Sequence, residues 1–134
     1  MKPQTTRPAD VCEAHGHLPW LGKALSMLSL EGCTCVGEAL DRIAARVAGM
    51  PPGAWLQAHS ARYEGWTERR WMTRDELDRV TDRRPALVMS FDHHAVFANS
   101  AALAAARIDR STPDPVGGVI ERVASGPHTG DPTG

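Results

Sequence analysis

The chain has 134 residues, enough for one domain with one hydrophobic core, but too few for a complete eight-fold β/α barrel, which typically needs about 250 residues. Its 15 Lys and Arg residues nearly balance its 16 Asp and Glu residues, so charge gives no reason to expect a nucleic acid or an anionic membrane as a partner. No run of about 18 apolar residues occurs and the first ten residues lack an apolar segment, so neither a membrane span nor a secretory signal is predicted.

Cysteine usage indicates a reducing compartment. The chain has three cysteines, and two of them stand close together as Cys33 and Cys35. A secreted disulfide framework normally uses an even number of cysteines. We therefore expect a cytoplasmic protein.

The N-terminal part predicts one strand and two helices. Residues 1–9 contain two prolines and little that is apolar, which predicts a disordered lead-in, and residues 10–17 are compatible with a short strand. The apolar segment 18–32 has partial helical spacing. Thr34 is expected to cap a second helix, in which apolar residues recur at helical spacing: Val36, Leu40, Ile43 and Val47.

The middle of the chain alternates strands with a helix. Residues 54–59 predict a strand, which a loop rich in Trp and Arg follows. Thr73 and Glu76 have the spacing of a capping box, so a helix is expected to begin there. Residues 84–92 have the continuous apolar pattern of a buried strand.

The C-terminal part predicts one more helix and a weak strand. Asn99 suits a helix cap, and the alanines after it are strong helix formers. Residues 118–123 form a weak strand pattern. Because strands alternate with helices along the chain, we expect an α/β fold.

A His-x-His motif is the first candidate site. In a strand, Glu13, His15 and His17 would project from one face, since alternate side chains point the same way. Two imidazoles at this spacing can bind one zinc ion, and Glu13 could orient one of the rings. However, a catalytic zinc normally takes three protein ligands, and six histidines make a chance pair plausible.

Two adjacent histidines form the second candidate. His93 and His94 follow the predicted strand 84–92, at a position where loops often build binding sites. The alternative is a turn in which Asp92 caps the next segment and one imidazole makes a structural hydrogen bond. Trp66 could line an apolar substrate pocket, although such residues more often belong to a core.

A structural zinc module is a third alternative for the cysteines. Cys12, Cys33 and Cys35 could join His15 and His17 around one ion. The spacing differs from the paired C-x-x-C knuckles of known structural zinc sites. This alternative is therefore weaker than the other two.

The stretch EAHGHLPWLG resembles the Asp-x-His-x-His metal motif that ends the first barrel strand of the amidohydrolase superfamily. Further blocks follow in the order found in amidohydrolase family 3: PPGAWLQAHSARYEGW, TRDELDRV, RPALVMSFDHHAVFANSAAL, TPDPVGGVIER and GDPTG. Family 3 includes N-substituted formamide deformylases and related N-acyl hydrolases. The resemblance covers about residues 10–134, with Glu13 in the place where the family usually has Asp.

The resemblance implies a partial metal-dependent hydrolase of the TIM-barrel type. Residues 10–30 would form the first barrel strand and helix, and residues 31–134 the front part of an inserted α/β segment, truncated at the C-terminus. His15 and His17 would be metal ligands, and His93, His94 and Trp66 would face the substrate. The family's other metal ligands and its catalytic Asp lie on later strands that this sequence does not contain.

The implied activity is hydrolysis of amides or formamides by water activated on a divalent metal, with zinc the expected ion. The substrate would be a small amide molecule. Since base and remaining ligands are missing, we expect the isolated chain to be inactive. We also expect the Trp-rich loop and the alanine-rich helix to expose apolar surface and cause self-association. A stand-alone α/β domain that binds a metal or a partner without catalysis is the alternative function.

Overall fold

The computed structural model describes residues 18–122, 132 and 133. The predicted strand at 10–17 and the lead-in lie outside these residues. The described elements, in chain order, are α1 (Leu18–Ala24), β1 (Leu28–Ser29), α2 (Val36–Ala48), β2 (Leu56–Ala61), a 3-10 turn (Tyr63–Gly65), α3 (Arg74–Thr81), β3 (Ala86–Ser90), β4 (Val96–Ala98) and α4 (Ser100–Ala106).

The four strands form one mixed sheet in the order β1-β2-β3-β4. The first three are parallel, and β4 runs antiparallel to β3. Each parallel pair is joined by a helix, α2 between β1 and β2 and α3 between β2 and β3, which is the βαβ connection that parallel strands require. The predicted α/β class is therefore confirmed.

Helices α2 and α3 build the main core on one face of the sheet. Apolar residues recur along α2 at intervals of three and four, so the helix buries one stripe, formed by Val36, Ala39, Ile43 and Val47. Leu77 of α3 is fully buried in the same cluster, together with Val88 of β3 and Phe97 of β4.

Helix α4 covers part of the opposite face. Leu87 of β3 and Ala98 of β4 are directly paired and alternate with the core-facing residues of their strands. They contact Ala102 and Leu103 of α4 in a second, smaller cluster. The sheet is thus packed on both of its faces around β3, which accounts for the apolar pattern of this strand.

Four expectations from the sequence need correction. The apolar segment 18–32 is helical only to Ala24, and its later part forms β1, because Leu28 pairs with Ala58 of β2. The N-cap of α2 is Cys35, whose Sγ accepts from the Glu38 amide at 3.4 Å.

The other two corrections concern strands. In the described part of residues 118–123, pairing is limited to one isolated bridge between Arg122 and Pro132, so the weak strand is wrong there. Strand β4 was not expected, since three residues cannot establish a period of two. It forms because the turn after β3 folds the chain back onto that strand.

Within the residues that the structure describes, the longest helix has 13 residues, and no helix is long and apolar enough to cross a bilayer.

Candidate functional site at the carboxyl edge of the sheet

The carboxyl ends of β1, β2 and β3 meet at one edge, because these strands are parallel. Ligands of open α/β sheets bind outside this edge. The chain leaves β2 through Arg62 and Tyr63, and it leaves β3 through the turn 91–95, which carries both candidate histidines. The sheet topology therefore places His93 and His94 where a ligand site is expected.

The turn 91–95 is organised by Ser90 and Asp92. Ser90 is buried, and its hydroxyl donates to Asp92 Oδ1 at 2.5 Å while accepting from the Ala95 amide at 3.0 Å. The same carboxylate oxygen accepts from the His94 amide at 3.1 Å. These bonds hold the pKa of Asp92 below its ordinary value, with the Ser90 hydroxyl as the largest cause. Asp92 thus fixes the backbone from which His94 projects.

His93 occupies a left-handed backbone conformation, with φ of 64°. Its Nδ1 lies 3.3 Å from Met89 Sδ, and its ring meets the Trp20 ring edge-on, with centroids 4.4 Å apart. A positive φ is uncommon for a residue other than glycine and is often found at functional sites. The contact joins the turn to α1, the helix that directly follows the His-x-His motif in the sequence.

His94 is exposed, and its imidazole makes no hydrogen bond to any residue that the structure describes. Both parts of the alternative from the sequence are observed: Asp92 organises the turn, as a cap would, and the imidazole of His93 lies within hydrogen-bond distance of Met89 Sδ. The ring of His94, however, is available to a ligand. An imidazole can donate from one nitrogen and accept at the other.

Trp66 lies in the hydrophobic core and not on a surface that a substrate could reach. Its side chain is 2% exposed, and its Nε1 has no acceptor among the described residues. The physical reason is that the loop after β2 is tied to the segment before α2, since the Thr67 amide donates to the Thr34 carbonyl at 2.9 Å. Trp66 thereby joins the same buried cluster as Met72 and Leu77. Its burial fits the core alternative.

The predicted metal ligands His15 and His17 lie outside the described residues, as does Cys12. Within the described residues, no group of three or more His, Cys, Asp or Glu side chains is arranged to hold a metal. Cys33 is buried, which raises the pKa of its thiol, while Cys35 caps α2. These two roles are structural and give no support to the zinc-module alternative.

His59 lies half-buried in β2, within the strand that residues 54–59 predict. The pairing of β2 with β3 is interrupted between Ala58 and Ala61, and Ser60 there has φ of 62°. His59 Nδ1 is 2.8 Å from Ser60 Oγ. Such bulges re-aim side chains and are frequent beside active sites. A bulge has no sequence signal that periodicity could detect, so it could not be expected.

The comparison with protein families matches residues 11–130 to the amidohydrolase family. Among curated proteins, the chain is 37% identical to YtcJ of Bacillus subtilis over 123 residues and 37% identical to the N-substituted formamide deformylase of Arthrobacter pascens over 120 residues. Each match covers 88% of this chain and 22% of the relative. The chain therefore spans about a fifth of the length of these relatives.

Two solved structures share the fold of the chain. They are described as uncharacterized metal-dependent hydrolases, from Pyrococcus horikoshii (TM-score 0.53, 24% identity) and Pyrococcus furiosus (TM-score 0.56, 23% identity). The matches cover 67% and 78% of this chain, but only 17% and 20% of the two structures. At this identity the likeness shows the fold.

Proposed function

Since the chain belongs to amidohydrolase family 3, we propose that it forms the N-terminal part of a metal-dependent hydrolase that cleaves non-peptide C–N bonds in small molecules. The name of one relative, an N-substituted formamide deformylase, favours amides or formamides as the substrate class. The structural neighbours described as metal-dependent hydrolases support the requirement for a metal. No observation supports nucleic acid as a partner.

The observation that carries this proposal is the contact between Trp20 and His93. Trp20 stands three residues after His17, the second histidine of the motif. The contact places the beginning of α1 beside the turn that presents His93 and His94 at the carboxyl edge. In this proposal the two histidine pairs, which are more than 70 residues apart in the sequence, would belong to one site.

His15 and His17 would hold the metal, for which zinc is the proposed ion. Their imidazoles are suitable ligands for zinc, but two ligands are fewer than the three of a catalytic site. The described residues supply no further group. The remaining ligands would come from the part of the longer relatives that this chain does not match. When bound, the metal lowers the pKa of a water molecule and polarises the substrate carbonyl.

The residues of this chain would position the substrate. His94 is fixed at its backbone by Asp92 and offers a free imidazole to the amide group. His93 is held by Trp20 and Met89, and it contacts α1 through Trp20. We expect no turnover by the isolated chain, because it cannot place the carbonyl, water and base together.

The first experiment is to measure zinc content and zinc affinity of the purified chain beside the His15→Ala/His17→Ala variant. We expect the double variant to bind zinc at least about tenfold more weakly, because both imidazoles are lost. His128→Ala is the matched control, since it removes a histidine that is assigned no role. Equal affinity of wild type and double variant, or equal loss in the control, would contradict the assignment of the motif.

A further inference from the structure

Arg62 is the first residue after β2, at the same edge of the sheet as His93 and His94. Its guanidinium carbon lies 4.0 Å from the centroid of the Phe91 ring. Phe91 is the first residue after β3, and its amide donates to the Ala61 carbonyl at 2.9 Å. The two strand ends are thus tied by a backbone hydrogen bond, and they bring a cation onto an aromatic ring.

The Arg62 side chain leaves the backbone at the start of a short turn. Glycine at position 65 leaves room for its stem, because a Cβ there would lie 3.8 and 3.9 Å from Arg62 Cγ and Cδ. The Gly65 amide donates to the Arg62 carbonyl at 3.0 Å, which fixes the short 3-10 turn under the side chain. Because the Phe91 ring restricts the Arg62 side chain, ordering of this side chain costs less entropy when a ligand binds.

The guanidinium itself makes no hydrogen bond and no ion pair with the described residues. Asp92 follows Phe91 in the sequence, and its Oδ1 already accepts hydrogen bonds from the Ser90 hydroxyl and the His94 amide. Glu64, in the same turn, lies beside the Tyr63 phenol and is the largest cause that raises the Tyr63 pKa. Arg62 is exposed, so its N–H groups face the solvent beside the histidine turn.

We propose that Arg62, stacked on Phe91, is a specificity-determining residue that binds a carboxylate group of the amide substrate. This inference rests on the proposed function, because it assigns the same edge of the sheet to substrate binding. A planar guanidinium that is stacked on its face presents its edge N–H groups, which match the two oxygens of a carboxylate. A substrate with this group next to the amide, as in an N-acyl amino acid, would offer its carboxylate to Arg62.

The test compares two probes that differ only in the group that Arg62 would bind: N-formylglycine, which carries a carboxylate, and N-formylglycinamide, which does not. Binding to the metal-free chain is followed by NMR titration of the backbone amides and the arginine Nε groups. We expect N-formylglycine to bind about tenfold more tightly, since hydrogen bonds between charged groups are the stronger ones. In Arg62→Gln this preference should disappear, while binding of the amide is unchanged.

Arg46→Gln is the matched control, because Arg46 is an exposed arginine of α2 at the opposite end of the helix from this edge. It should keep the preference for the acid. Phe91→Leu should weaken acid binding severalfold, because the guanidinium loses its support. Thermal unfolding of each variant checks the fold.

Three results would overturn the inference. The first is equal binding of acid and amide by the wild type, including no binding of either. The second is an equal effect of the two arginine substitutions. The third is binding of acetate as tight as that of N-formylglycine, which would show attraction of any carboxylate without recognition of an amide. No metal and no hydrolysis enter this measurement. A failure here therefore differs from a failure of the zinc experiment, which tests the hydrolase assignment.

Discussion

At the scale of single residues, Asn99 connects three elements through one buried amide. Its Oδ1 accepts from the amides of Ala86 and Ala102, at 3.0 and 2.9 Å. Its Nδ2 donates to Thr81 Oγ1 at 2.9 Å and to the Arg84 carbonyl at 2.8 Å. The side chain is completely buried, and all four of its hydrogen bonds are satisfied. Asn99 thereby caps α4 and joins it to the end of α3 and the beginning of β3.

We predict that Asn99→Ala lowers the free energy of unfolding by about 2–4 kcal/mol, because a helix cap is lost and buried backbone groups are left without partners. Urea unfolding followed by circular dichroism would measure this. The neighbouring Ser100→Ala is the control. It removes only an exposed hydroxyl that donates to Asp78, and it should cost about 1 kcal/mol or less. Similar losses for the two variants would contradict the role of Asn99.

At the scale of elements, α3 begins with the capping box that its sequence predicts. The Glu76 amide donates to Thr73 Oγ1 at 3.2 Å, and the Thr73 amide donates to Glu76 Oε2 at 2.6 Å. Arg70 adds a bidentate pair to the same carboxylate, at 2.9 and 3.0 Å. Together these bonds, that to Arg70 above all, lower the pKa of Glu76 from 4.5 to about 2.

The stability of the chain should therefore depend on the charge of Glu76. A carboxyl group whose pKa is lower in the folded chain stabilises the fold above its unfolded value, and it loses this contribution as pH falls towards its folded value. We predict that Glu76→Gln is less stable than wild type at pH 7. The difference should shrink between pH 4.5 and about 2. Unfolding by urea across this range would measure it.

Arg70→Gln provides the control for this window, because it removes the first cause of the pKa shift but keeps the capping box. The free energy of unfolding that is lost between pH 4.5 and about 2 should be smaller in this variant than in wild type. A difference between wild type and Glu76→Gln that stays constant from pH 7 to pH 2 would refute the prediction.

At the scale of the whole molecule, the exposed apolar surface differs in place from the sequence expectation. The Trp-rich loop and α4 were expected to be exposed. Trp66 of the loop and Leu103 of α4 are buried, whereas the end of α4, residues 104–106, is exposed. Three leucines at helical spacing are exposed instead, two in α1 and one directly after it. The exposed fractions are 74% for Leu18, 54% for Leu21 and 80% for Leu25. Helix α1 buries no residue. Large exposed apolar surfaces of this kind mark interaction sites.

We predict that the isolated chain associates through α1. Leu21→Lys/Leu25→Lys should lower the apparent mass in size-exclusion chromatography and leave the thermal unfolding temperature within a few degrees, because neither side chain supports the core. Val116→Lys/Val119→Lys adds the same charge at other exposed apolar positions and should not change the apparent mass. A monomeric wild type at all concentrations would contradict this prediction.

What the sequence by itself determined is local. The caps at Thr73 and Asn99, the stripe of α2 and the apolar run of β3 follow from the propensities and periodicity of neighbouring residues, and the described structure confirms them. The residues that carry the resemblance also identified the family. The roles of His15 and His17 stay predictions.

Only the tertiary structure decided which distant residues meet. The contacts of Trp20 with His93 and of Arg62 with Phe91 join segments that are 73 and 29 residues apart, and no local pattern encodes them. The burial of Trp66 and the pairing of β1 arise in the same way, from the surfaces that the assembled sheet offers. The physical reason is that propensity acts over a few residues, whereas burial and contact depend on how parallel strands bring their ends to one edge.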